Sequence, residues 1–466
     1  MKTAIGIIGL GVMGTSISRN LARNGFSLSL YNRFVKGVEE DVAQKKINQY
    51  EELESALPFE DLKLFADSLT SPKKILLNLT AGAAVDHIID QLLPFLTPGD
   101  LIIDGGNSHF TDTENRLNRL QSKQIFFMGL GISGGEAGAL HGPSLMAGGS
   151  EDAYALSENF LKEMAATTAE GEKACDYVGS GGAGHFVKMV HNAIEYAEMQ
   201  IIAELFEVMH KGMRMGYAEI AAVFEQWNKN EFDAYLLDIT IKILKTKDEK
   251  GYVLDRILDK ASYNQTGSWT LIAGINDFHS CSMVAAALFS RFNSNRSKAF
   301  KGLSITQQED VPLKLEVDQL RAVFRFTRTV NHYQHFRLVE EMSEKAGWNI
   351  DLQKLCSLWS AGCIIKSKLL VQLSPFLENR LGPFFDPQYL NQLNSDRSSV
   401  ATLITETANT EIPLPCISAA HTYYKQMTQR KSSANIIQAQ RDFFGAHGFQ
   451  IIGGNPGDLH HYPWER

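Results

Sequence analysis

An apolar run, Ala4 to Ile8, leads without a break into Gly9-Leu-Gly-Val-Met-Gly14 and then into residues of helical pattern. That order constrains the chain more than any other feature. The first glycine permits a tight turn, the second lets the backbone approach a pyrophosphate, and the third lets helix and strand pack closely. The start of the following helix favours an anion, because its first N–H groups lack intrahelical partners. Gly9, Gly11, Val12, Met13 and Gly14 are therefore candidate dinucleotide contacts. A glycine-rich turn of purely structural use is the alternative.

Further apolar runs at Leu28 to Tyr31, Ile75 to Leu79, Leu101 to Asp104 and Ile125 to Gly129 alternate with helical segments, as a parallel sheet with crossover helices requires. Glycine and serine gather after these runs, at 104–108, 133–135 and 148–150, the edge at which open α/β sheets bind ligands. The second run ends Tyr31-Asn32-Arg33. An NAD site usually places a carboxylate there for the ribose 2′-hydroxyl, whereas an arginine accommodates a 2′-phosphate. Asn32 and Arg33 thus point to NADP. The plainer alternative leaves Arg33 solvated, with Asn32 meeting either ribose.

Composition narrows the class. Of the 466 residues, 44% are hydrophobic and 21% charged, enough apolar material for more than one core. The net charge of −8 argues against a protein that coats nucleic acid, so an anionic ligand must be met by a local basic pocket. Five scattered cysteines, 175, 281, 356, 363 and 416, show no metal-ligand or redox spacing. No apolar run approaches the ~20 residues of a membrane span, and the N-terminus reads as a strand rather than a signal peptide. A cytoplasmic location without metal or membrane association is expected.

After Gly179-Ser-Gly-Gly-Ala-Gly184 the texture changes to long helical stretches, and a large all-helical domain is expected. Lys188, His191, Asn192 and Glu195 fall at i, i+3, i+4 and i+7, on one helical face. A cation, an imidazole, an amide and a carboxylate at a domain junction suit a catalytic wall; a solvated stripe of intrahelical pairs is the alternative. Arg291 and Arg441 stand in apolar or aromatic settings and suit phosphate or carboxylate. The final Gly453-Gly-Asn-Pro-Gly-Asp458 and aromatic residues are expected to pack on another surface, such as a second subunit.

These segments together resemble the 6-phosphogluconate dehydrogenase family. The resemblance rests on the glycine turn, Asn32-Arg33, Asp104-Gly-Gly-Asn-Ser108, Ser133-Gly-Gly-Glu-Ala-Gly138, Gly142-Pro-Ser-Leu-Met146, Gly184-His-Phe-Val-Lys-Met-Val-His-Asn192, Ile194-Glu-Tyr196, Ala361-Gly-Cys-Ile-Ile365, and the run from Ala434 to His447. It implies an α/β Rossmann coenzyme domain over 1–179, an all-α substrate and dimerisation domain over 180–438, and a C-terminal tail over 439–466 that reaches the partner of a homodimer. It further implies NADP-dependent oxidative decarboxylation of 6-phosphogluconate to ribulose 5-phosphate and CO2.

In that scheme Lys188 is the base and Glu195 the acid. Asn107, Ser133, Gly134, Gly135, His191, Asn192, Tyr196, Thr266, Arg291, Arg441 and His447 contact substrate, the last two from the neighbouring subunit. Asn107 also faces the coenzyme. Two family lysines are replaced here by Asn264 and Ser268, the first of them a phosphate ligand in the family, and Phe34 replaces the family's threonine. A charged hydrogen bond is worth about 1.5–3 kcal/mol. That keeps open a paralogue acting on another aldonate such as gluconate; a non-catalytic NADP-binding regulator is the remaining alternative.

Overall fold

The computed structural model describes residues 2–296, 312–377 and 386–464. Residues 297–311 and 378–385 of the expected helical domain, and 465–466 of the expected tail, lie outside the described residues.

The sheet is built from β1 (Ile5–Ile8), β2 (Leu28–Tyr31), β3 (Leu57–Phe59), β4 (Lys74–Leu77), β5 (Leu101–Asp104), β6 (Phe126–Ser133), β7 (Ser144–Gly149) and β8 (Cys175–Gly179). Their spatial order is β3-β2-β1-β4-β5-β6-β7-β8. Neighbours among the first six are parallel, while β7 runs antiparallel to β6 and parallel to β8. Strand order reverses at β1, the kind of switch point where such sheets open a crevice. The glycine turn leaves β1 there.

Ile8 pairs with Tyr31 and Leu77, Leu77 with Asp104, and Asp104 with Gly129, so four carboxyl ends and Gly129 of β6 share one row. Beyond that row β6 continues to Ser133. The sequence reading stopped this strand at Gly129 because Gly131 and the following Ser-Gly-Gly look like a loop. Burial explains the difference: all of Phe127 to Ser133 is buried, between β5, β7 and a helix. Expected strand 75–79 ends at Leu77, so Asn78 and Leu79 join the crevice loop.

Three strands of this sheet escaped the sequence reading. β3 is a three-residue edge strand with Pro58 at its centre, where proline costs no ladder bond. β7 is Ser-Leu-Met-Ala-Gly-Gly, buried throughout, so it lacks the alternation that marks a half-exposed strand. β8 is likewise too short and mixed to stand out.

The helical part is arranged around one 25-residue helix, Ala183–Glu207, whose first half is buried almost without interruption. It touches β6 and β7 at its start. Further along it meets the helices Gln265–Asn276, Ser282–Arg296, Val317–Ala346 and Pro415–Thr428. A helix buried on every side along its first half is a core helix, and its polar residues must find partners in the interior. None of the described helices is long and apolar enough to cross a membrane.

The last helix, Ala434–Gly445, leads into a short antiparallel bridge between Phe449 and His460. The expected boundary between 438 and 439 falls inside this helix, which begins after the Ser432 hydroxyl accepts from the Ala434 N–H. Asp442 organises the end of the chain. Its carboxylate accepts from the Gly448 and Tyr462 N–H groups, from Trp464 Nε1, and lies 2.7 Å from His461 Nδ1. Ile436, Ile437, Phe444, Ile452 and Tyr462 remain exposed on this unit.

Candidate active site

At the switch point, Gly9 takes φ of 93°, and a Cβ on Gly14 would lie 1.9 Å from the Gly9 carbonyl oxygen. The turn and helix therefore close only with glycine at both positions. Gly11 has open space on its Cβ side, and the helix Val12–Arg23 starts with no side-chain cap. Val12 is exposed beside it and Met13 half-buried. Asn78 Nδ2, next to this turn, is buried without a hydrogen-bond partner. Uncapped N–H groups, a bare glycine and an orphaned donor fit a dinucleotide pyrophosphate and its neighbouring groups.

Asn32 Oδ1 accepts from the Leu10 N–H at 3.4 Å, which ties the second strand to the glycine turn. Arg33 is largely exposed and pairs with Glu39 at 3.0 Å, while Asn32 Nδ2 donates to the same carboxylate at 2.9 Å. Their hydrogen bonds, Arg33's first, hold the Glu39 carboxyl below its usual range. Glu39 went unread in the sequence because it lies six residues past Arg33, outside the position where a ribose carboxylate is sought. The structure brings it to the arginine expected to meet a 2′-phosphate.

Lys188 is carried to the sheet by the absence of a side chain. A Cβ on Gly131 would lie 2.7 Å from Lys188 Cβ and 2.8 Å from the Gly184 carbonyl, so the helix can rest on β6 only where β6 is bare. His185 locks the same contact, with Nε2 3.0 Å from the Asp104 carbonyl and Nδ1 2.6 Å from Thr113 Oγ1. Asp104 in turn accepts from the Gly106 N–H, the Ser108 hydroxyl and Arg116, which fixes the loop that leaves Asn107 exposed at the rim.

On the stripe itself, Lys188, His191 and Asn192 are buried and Glu195 is half-buried. Burial pushes the Lys188 ammonium down, opposed by Glu195, and pushes the Glu195 carboxyl up, opposed by Lys188 and Arg291. His191 is driven far below its usual value by burial and then by Lys188, so the imidazole is neutral. A lysine whose proton is loosened and a carboxyl whose proton is held more tightly, two turns apart on one helix face, suit a base and an acid at neighbouring atoms of one substrate.

Ser133 Oγ lies 2.8 Å from His191 Nε2. Gly134 and Gly135 follow at φ of 126° and 61°, and a Cβ on Gly134 would meet the Gly362 carbonyl at 2.6 Å. This packing brings in Cys363, whose Sγ is 2.9 Å from His191 Nε2. Sequence reasoning missed Cys363 as a site residue; its only signal was its place in Ala361-Gly-Cys-Ile-Ile365. Burial raises its thiol to about 12, so it stays protonated.

On the far side, Asn192 Nδ2 donates to Thr266 Oγ1 at 2.9 Å, and Tyr196 OH accepts from the Asn264 N–H at 3.0 Å. Arg291 lies 3.9 Å over the Tyr196 ring and donates to the Ser262 carbonyl. One chain thus gathers Ser133, Gly134, Gly135, Lys188, His191, Asn192, Glu195, Tyr196, Thr266 and Arg291. Among the described residues, no group of His, Cys, Asp and Glu could hold a metal ion.

Two family profiles match nearly the whole chain: the NAD binding domain of 6-phosphogluconate dehydrogenase over residues 4–179, and the 6-phosphogluconate dehydrogenase C-terminal domain over 184–464. The decarboxylating 6-phosphogluconate dehydrogenase of Bacillus licheniformis is 38% identical over 464 residues, covering 97% of each chain. The chain belongs to the 6-phosphogluconate dehydrogenase family. The decarboxylating enzyme of Escherichia coli is 37% identical over 460 residues, with 97% of each chain covered. A Bacillus subtilis member, named as NAD(+)-dependent and decarboxylating, is 38% identical with the same coverage. The Plasmodium falciparum 6-phosphogluconate dehydrogenase structure superimposes with a TM-score of 0.91 at 29% identity, over 99% of this chain and 100% of that one.

Two residues expected from the 6-phosphogluconate dehydrogenase resemblance are not joined to the stripe. Arg441 donates to Gln438 and His447 packs edge-on to Phe444, both within the last unit. Among the described residues, no hydrogen bond, ion pair or ring contact links either to the helix Ala183–Glu207. The family lysine position holds Asn264, which caps the helix Gln265–Asn276 instead of presenting a cation.

Proposed function

We propose that the chain converts 6-phosphogluconate to ribulose 5-phosphate and CO2, with NADP as hydride acceptor. The observation that carries this reading is the buried Lys188, seated against bare Gly131 with Glu195 two turns along the same face. Neutral Lys188 takes the proton of the substrate C3 hydroxyl as the C3 hydrogen leaves as hydride. When bound, NADP supplies the acceptor for that hydride. The resulting 3-keto acid loses CO2, and the Lys188 ammonium stabilises the developing enolate oxygen. Glu195 then delivers a proton to C1 of the five-carbon enol. Ser133, His191 and Asn192 hold the carboxyl and hydroxyl groups, while Arg291 meets the phosphate end.

Arg33 supports NADP through its exposed guanidinium beside the glycine turn. NAD is the second reading, favoured by Glu39, which already occupies Arg33, and by the NAD(+)-dependent Bacillus subtilis relative at 38% identity. The exposed apolar residues of the last unit support a homodimer in which that unit, with Arg441 and His447, completes the partner's site. All five cysteines are free and buried, which supports a reducing cytoplasmic compartment.

Assays of 6-phosphogluconate and gluconate, each with NADP and NAD, test the reading. It predicts the highest kcat/KM for 6-phosphogluconate with NADP. A preference for gluconate overturns the substrate assignment, and a preference for NAD overturns the coenzyme assignment.

A further inference from the structure

Residue 264 ends a one-way chain of hydrogen bonds that starts at Ser133, and the backbone fixes its direction. Asn264 Oδ1 accepts from the Thr266 backbone N–H at 3.2 Å. A backbone N–H can only donate, so the carboxamide oxygen, not its nitrogen, faces Thr266. The Thr266 hydroxyl also closes on that oxygen, to which it can only donate. Its lone pairs then accept from Asn192 Nδ2 at 2.9 Å. That turns Asn192 Oδ1 toward His191 Nδ1 at 3.1 Å, where the ring nitrogen must carry the proton. The neutral ring is left with a bare Nε2, which faces Ser133 Oγ at 2.8 Å and the Cys363 thiol at 2.9 Å. The direction of each link follows from the Asn264 oxygen, which can only accept.

We propose that Asn264 is a positioning residue that sets the Nδ1–H tautomer of His191 through Thr266 and Asn192. The consequence reaches the substrate. With Nε2 unprotonated, it can accept from the Ser133 hydroxyl, whose oxygen also accepts from the Ile364 N–H at 3.3 Å and keeps one lone pair for a substrate O–H. A side chain at 264 that only donates, such as lysine, cannot terminate the chain. The residue that departs from the family pattern therefore does different work here: it orders an interior network instead of supplying a positive charge.

The tautomer itself is the readout. With 15N-histidine labelling of the full chain, and His191→Gln to assign the signal, wild type should show a protonated Nδ1 and an unprotonated Nε2 at His191. Asn264→Asp keeps the acceptor and should keep that pattern. Asn264→Leu should lose it, and so should Thr266→Val, which leaves the Asn264 cap on the Thr266 N–H intact and so separates the relay from helix stability. The kinetic arm rests on the proposed reaction: Asn264→Leu and Thr266→Val should each lower kcat about tenfold, the equivalent of roughly one hydrogen bond, and the double variant little further. An unchanged His191 pattern in both variants overturns the proposal, whatever the substrate proves to be. So does strict additivity of the two losses in kcat.

Discussion

Lys188 packs its Cβ against the bare face of Gly131, so closely that a methyl group at 131 would lie 2.7 Å from it. Residue 131 cannot gain a side chain without moving the lysine. Gly131→Ala should therefore push the helix from β6 and displace the lysine. Overpacking of this kind costs about 1–3 kcal/mol, while a displacement of about 1 Å at a reacting group costs on the order of a hundredfold in rate. Activity should fall much further than the midpoint of thermal unfolding, which circular dichroism and steady-state kinetics can compare directly.

The opposed shifts of Lys188 and Glu195 predict a bell-shaped pH profile for kcat/KM. Its limbs belong to the coupled pair rather than to either group. Burial lowers the lysine, so it can be neutral below the range of an ordinary ammonium; burial raises the carboxyl, so it holds a proton above the range of an ordinary carboxylate. Glu195→Gln should leave one ascending limb and a much reduced plateau. Because Glu195 favours the charged lysine, its removal should move that limb to lower pH. A bell that persists in the variant would show that Glu195 is not the second titrating group.

How the site could be read from sequence follows from which signals are local. The glycine turn and the Lys188 stripe are each one segment with one periodicity, so spacing alone placed them correctly on a turn and on a helix face. β7 and the end of β6 were missed because burial on both sides erases alternation and leaves glycines that look like loops. The Glu39 and Cys363 contacts arise from chain folding back over 6 and 172 residues respectively, and no local pattern marks them. Asn264 was visible as a departure from the family, but its place in a hydrogen-bond chain needed coordinates.

Coenzyme choice should turn on the Arg33–Glu39 pair. Losing a charged hydrogen bond costs about 1.5–3 kcal/mol, so Arg33→Ala should reduce kcat/KM for NADP by roughly tenfold to a hundredfold and leave NAD nearly unchanged. Glu39→Gln frees the guanidinium and should raise kcat/KM for NADP several-fold. Equal losses for both coenzymes in the arginine variant would assign Arg33 a structural role only.

If the last unit completes a neighbouring site, two inactive variants should rescue each other. Lys188→Ala and Arg441→Ala subunits, denatured and refolded together, form hybrids in which one site has both residues intact. Activity should recover to about a quarter of wild type for random pairing in a two-fold dimer. No recovery, with dimers present by sedimentation, would place Arg441 in its own subunit's site or in none.

The most direct measurement is the yield of CO2 and NADPH from 6-phosphogluconate in wild type and in Lys188→Ala. The account predicts one of each per substrate consumed in the wild type and no detectable turnover in the variant, with its fold and NADP affinity retained. Turnover in Lys188→Ala at the wild-type rate would contradict it.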